Sequence, residues 1–139
     1  MLNASIWFAG EWVMTDRYDK GIKVMREHLG KNADKYVEAI REVAPLFAKV
    51  NVEFAFGDLY GHESLLDQKT RELCTIAALT VMGNALPELK IHVDCALRCG
   101  ATKDEIVEII TQMLAYCGFP AATNAIMTAK EIFEEQGLL

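Results

Sequence analysis

Apolar residues recur at helical spacing along nearly the whole chain, and each run is bracketed by residues that start or stop helices. That pattern leaves little room for a sheet. Ile22, Met25 and Leu29 mark a run over 18–29, capped by Thr15 or Asp16 and stopped by Gly30. Asp34 caps a second run carrying Tyr36, Val37, Ile40 and Val43. Pro45 then ends that helix or opens another, which continues through Phe47, Val50 and Phe54 to Gly57. After a loop over 58–66, Asp67 caps 68–82, Gly83 stops it, and Pro87 stands in the first turn of a helix that ends at Gly100. Thr102-Lys103-Asp104-Glu105 is a capping box for 105–117; Gly118 closes that helix and Pro120 starts a last one to Gln136. Only Val50-Asn51-Val52-Glu53-Phe54 alternates enough to read as a short strand. The expectation is an all-α fold of six or seven helices.

A chain of 139 residues fits one domain, here 16–139, behind an N-terminal extension over 1–15. Trp7, Phe8, Trp12 and Val13 in that extension precede the first good cap, so they dock on a neighbour or lie ahead of a native start at Met14. The apolar share of 52% exceeds what a soluble monomer of this size usually carries, which points to a homo-oligomer. Fourteen Lys and Arg against twenty Asp and Glu give a net charge of −6, which repels phosphate backbones and anionic lipid heads. No nucleic-acid or membrane partner is expected. The N-terminus lacks the positive start of a signal peptide, and no purely apolar run approaches the ~20 residues of a membrane span. This places the protein in the cytoplasm, where four cysteines stay reduced; Cys74 and Cys117, on apolar runs, read as core filler.

Chemistry concentrates on the helix that Pro87 opens. Glu88, His92, Cys95 and Cys99 fall within a stripe about 60° wide at 100° per residue. Leu89, Val93, Ala96 and Leu97 occupy the adjoining sector, and Lys90, Asp94 and Arg98 take the solvent side. Across the turn at 83–86 an antiparallel partner helix brings Glu72 near His92 and within about a helical turn of Cys95 and Cys99. A carboxylate that orients an imidazole suits general acid/base work, and Arg71 beside Glu72 suits an anionic substrate. Competing readings remain: His92 as a structural histidine, Glu88 as its surface pair, Cys95 and Cys99 as a redox pair, or Glu88 and His92 with the thiols as metal ligands. His62 lies in the one clear loop, where binding residues gather.

Leu66-Asp67-Gln68-Lys69-Thr70-Arg71-Glu72-Leu73, Glu88-Leu89-Lys90-Ile91-His92, Ala96-Leu97-Arg98-Cys99-Gly100-Ala101-Thr102 and Tyr116-Cys117-Gly118-Phe119-Pro120-Ala121-Ala122 resemble, in order, the carboxymuconolactone decarboxylase family. The resemblance covers about Tyr18 to Phe133. It implies the all-helical fold shared with alkyl hydroperoxidase D, assembled as trimers or hexamers with sites near subunit contacts. It also implies that His92 is the family histidine and Glu72 its acidic partner. The peroxidase branch places Cys-x-x-Cys just before that histidine, whereas this chain has Ala85-Leu86-Pro87-Glu88. Relative to the decarboxylase branch, Asp94 stands where an arginine is typical, and His62-Glu63-Ser64-Leu65 replaces an Arg-Pro-Gly-Leu loop. Cys95 and Cys99 stand where Ala and Asn are more usual.

The function expected from these residues is decarboxylation or proton transfer on a small lactone or carboxylate substrate. In that scheme His92 acts as acid or donor, Glu72 orients it, Arg71 or Arg98 anchors a carboxylate, and Glu88 and His62 border the substrate. It requires no cofactor and no metal. The alternatives are a thiol peroxidase or disulfide reductase using Cys95 and Cys99 with His92 as base, and a non-catalytic binding protein.

Overall fold

The computed structural model describes residues 16–139, so the readings made for the N-terminal extension and for Thr15 lie outside the described residues. The described chain is helical, with no strand among the described residues. It falls into two compact units, one ending at His62 and one beginning at Glu63.

In the first unit, α1 (Asp16–Leu29) carries Asp16 and Asp19 in its first turn and Arg26 and His28 in its last, as the helix dipole favours. Gly30, at φ 58°, turns the chain through a short 3-10 segment, Gly30–Asn32, into α2 (Ala33–Val43). Asp34 does not cap α2. It sits inside the first turn, and its carboxylate accepts from Arg26 at 2.8 Å. Pro45 opens α3 (Pro45–Val50), which runs directly into a π-helix over Asn51–Tyr60. The residues that alternate like a strand are therefore helical. The wider π-helical turn presents Val52 and Phe56 inward, both buried. Gly21 lies so close to the π-helix that an added Cβ would stand 2.2 Å from the Val52 carbonyl oxygen. Gly57 makes the reciprocal approach, its Cβ position 3.0 Å from the Arg17 carbonyl oxygen. Around this crossing Tyr18, Met25, Leu29, Ala33 and Val37 complete the core. The buried Glu53 is neutralised by Lys49 at 2.5 Å and Arg17 at 3.6 Å, while Arg17 also forks onto Asp58.

The second unit is three helices in sequence. Asp67 caps α4 (Gln68–Met82) by accepting from the Thr70 N–H at 2.7 Å, and Gly83 ends it at φ 72°. Pro87 lies in the first turn of α5 (Leu86–Arg98), which closes with the Ala101 N–H donating to the Ala96 carbonyl at 2.9 Å ahead of the capping box at Thr102 and Glu105. Next, α6 (Lys103–Glu135) is two helical stretches that meet at a kink where the sequence places the boundary, since Gly118 leaves the helical region at φ 76°, ψ 170° and Pro120 follows it. Only when counted through that kink is Lys103–Glu135 long and apolar enough, by length and composition, to cross a membrane. Ile76, Leu89, Val93, Ile106, Ile110, Ala125, Ala129 and Phe133 form the core among the three helices. Lys69 to Glu105 at 2.9 Å and Lys90 to Glu131 and Glu135 at 3.0 and 2.9 Å tie α4 and α5 to α6.

Candidate active site

The α4–α5 hairpin brings Glu72 to His92, as the antiparallel geometry requires. Their contact, His92 Nδ1 to Glu72 Oε2, is 2.7 Å. Against a carboxylate Nδ1 must donate, so Nε2 is left as the nitrogen that exchanges protons with anything bound beside it. Only 1% of the Glu72 side chain is exposed, against 22% for His92. A carboxylate so deep in an apolar bundle needs its partner, and a ring partly open to solvent can meet a substrate.

Both thiols of the same stripe lie near this carboxylate. Cys95 is buried and Cys99 partly buried. Burial pushes the Cys95 thiol far up from its ordinary range, reinforced by the negative charges of Glu72 and Asp94. The Cys99 thiol is pushed up by burial and then by Glu72 and Asp67. The Cys99 N–H donates to the Cys95 carbonyl at 2.9 Å, so the helical turn between them is intact. Neither feature favours thiolate chemistry, which needs an accessible and electropositive setting. Of the two cysteines read as core filler, Cys74 is exposed instead, because it falls on the outer face of α4, and Cys117 is half-buried with its Sγ donating to the Met113 carbonyl at 3.2 Å.

Arg71 is half-buried on α4 beside Glu72, its carbonyl accepting from the Thr75 hydroxyl at 3.0 Å. Arg98 turns away from His92: six residues on, it stands about 120° round α5, and its Nε donates to Asp94 at 2.9 Å. Asp94 also accepts from Gln136. This Asp94–Arg98 tether was absent from the sequence reading, although its i,i+4 spacing is the signal for such a pair. Glu88 is exposed in the first turn of α5, and the carboxylate that meets His92 is Glu72. His62 belongs to the first unit, is exposed, and donates from Nδ1 to the Leu59 carbonyl at 2.5 Å. Among the described residues no three His, Cys, Asp or Glu side chains cluster closely enough to hold a metal ion.

The hairpin thus defines a helical protein with a buried carboxylate–imidazole pair. Comparison with known proteins makes that class specific. The sequence model of the carboxymuconolactone decarboxylase family matches residues 45–131. Over 123 residues, 88% of this chain and 90% of the relative, it is 33% identical to 4-carboxymuconolactone decarboxylase from Acinetobacter baylyi. It is also 40% identical over 101 residues, 72% of this chain and 75% of the relative, to an uncharacterized 15.0 kDa protein in the nqo9-nqo10 intergenic region of Paracoccus denitrificans. The chain belongs to the carboxymuconolactone decarboxylase family.

Proposed function

We propose that the protein is an enzyme that decarboxylates, or moves a proton on, a small lactone bearing a carboxylate, with His92 as the acid/base group and Glu72 as its positioning residue. The observation that carries this reading is the 2.7 Å contact between the partly open His92 ring and the buried Glu72. Loss of carbon dioxide from a carbon conjugated to a lactone carbonyl sends the C–C electron pair into an extended enolate. That intermediate needs a hydrogen-bond donor at its oxygen and a proton at carbon. Nε2 of His92, when the ring carries its second proton, gives that proton to carbon, and the neutral ring left behind takes a new proton from water at its exposed edge. Arg71, one residue from Glu72 on α4, would anchor a carboxylate, since Arg98 stands about 120° round α5 from His92. A relative named as a decarboxylase supports the reaction class. A cytoplasmic setting fits it, because all four cysteines are free.

Turnover of 4-carboxymuconolactone and simpler carboxylated lactones tests the proposal. His92→Asn should lower kcat by about 10²-fold or more, and Glu72→Gln should lower kcat while leaving KM within a few-fold, with a changed pH profile. A Cys95→Ser/Cys99→Ser double variant should keep most of the activity. Full activity in His92→Asn, or loss of activity only in the double thiol variant, sinks the assignment.

A further inference from the structure

α5 is gripped on the side away from its histidine. At about 100° per residue, Lys90 and Asp94 each stand roughly 160° round the helix from His92, one a half-turn before it and one a half-turn after. Both reach the end of α6. Lys90 Nζ meets Glu131 at 3.0 Å and Glu135 at 2.9 Å, and the Gln136 side-chain amide donates to Asp94, whose other oxygen accepts from Arg98 at 2.9 Å. The turn that receives these contacts is itself fastened. The Leu138 N–H donates to the Phe133 carbonyl at 2.8 Å, the Gly137 N–H to the Glu134 carbonyl at 3.1 Å, and Lys103 Nζ to the Leu138 carbonyl at 3.2 Å. Toward the core α5 presents only apolar side chains, Leu89, Val93 and Ala96 among them, all buried.

We infer that the end of α6 sets the rotation of α5 about its own axis, and that Lys90 and Asp94, with Glu131, Glu135 and Gln136 opposite them, are positioning residues for His92. Apolar packing is non-directional and tolerates a small turn of a helix. Hydrogen bonds are directional, and two of them straddling the level of the histidine resist that turn. At roughly 6 Å from the helix axis, a turn of about 20° carries the His92 ring about 2 Å, enough to part it from Glu72 at 2.7 Å. Exposed pairs add little to stability, and Lys90 is 38% exposed against 60% for each of its two partners. Their effect on a reacting group is larger, because a misplacement of about 1 Å caused far from the chemistry can cost on the order of 10²-fold in rate. The rotation of α5 depends on these contacts alone; only its effect on turnover rests on the role proposed for His92.

Gln136→Glu sets a second carboxylate against Asp94, and Lys90→Glu sets a further one against Glu131 and Glu135. Each should turn His92 away from Glu72 with an unchanged far-ultraviolet helix signal. Nuclear magnetic resonance of the isotope-labelled full chain reads this as a shift of the neutral His92 ring from its Nδ1–H form toward its Nε2–H form. In the same variants kcat for a carboxylated lactone should fall several-fold while KM stays within a few-fold. Asp94→Asn/Gln136→Glu, which remakes the hydrogen bond with donor and acceptor exchanged, and Lys90→Arg should both match the wild type. Lys130→Glu makes the same charge change in a pair that lies within α6 and should move neither reading. A ring that keeps its Nδ1–H form in both Gln136→Glu and Lys90→Glu overturns the inference. So does an equal shift in Lys130→Glu, or a paired variant that fails to restore the ring. A ring that responds as expected in a chain that turns over no lactone upholds the positioning of His92 and removes its proposed role in catalysis.

Discussion

Cys95 shows how one residue's surroundings set its chemistry. Its thiol is buried and faces the charges of Glu72 and Asp94, so its folded pKa lies above that of the unfolded chain. A thiol raised in this way stabilises the fold fully below its ordinary titration near about 8.5, and that contribution drains away as pH rises beyond it. Wild-type stability should therefore fall between about pH 8 and 10 more steeply than that of Cys95→Ala, as read by urea unfolding at each pH. Equal slopes would remove the thiol as the cause. In native protein at neutral pH iodoacetamide should label Cys74 and spare Cys95. The Glu72–His92 pair was legible in the sequence because a tight turn between antiparallel helices fixes which residues stand abreast. Exposure of Cys74 was not, because α4 is apolar around most of its circumference and its periodicity does not say which side faces out.

Among the elements, caps and stops were the most legible, since each is a local bond: Asp67, Thr102 with Glu105, and Gly83 act where their spacing placed them. The π-helix was not legible, as its identity depends on the chain packing against Gly21 and not on any local signal. Gly118 and Gly21 mark two ways in which an element can depend on a missing side chain. At Gly118, φ 76° and ψ 170° lie in a region open essentially to glycine alone, so Gly118→Ala should cost about 1–3 kcal/mol. At Gly21 the obstacle to a methyl group is the backbone carbonyl of Val52, which cannot rotate away, and Gly21→Ala should cost about 1–3 kcal/mol through displacement of α1. Chemical unfolding of both variants decides; a change below a few tenths of a kcal/mol in either would contradict the backbone described at that glycine.

For the molecule as a whole, helical class and family were readable because pattern and motif extend along most of the chain. The boundary between the two compact units, at His62 and Glu63, falls inside the loop that the sequence places over 58–66. A bundle this small has a net stability of only about 5–15 kcal/mol, and it keeps the Glu72 carboxylate almost wholly out of water. Thermostability and turnover should therefore pull in opposite directions at this pair. Removing His92 alone takes a charge-assisted hydrogen bond from a buried acid and should lower the melting temperature. Replacing both together, as Glu72→Leu/His92→Phe, relieves the desolvation of the carboxylate and should leave a protein at least as heat-resistant as the wild type, inert toward the lactone. If the double variant melts well below the wild type, the pair is there to hold the bundle together. If it melts at or above it, natural selection has kept a weaker fold for the sake of a working acid.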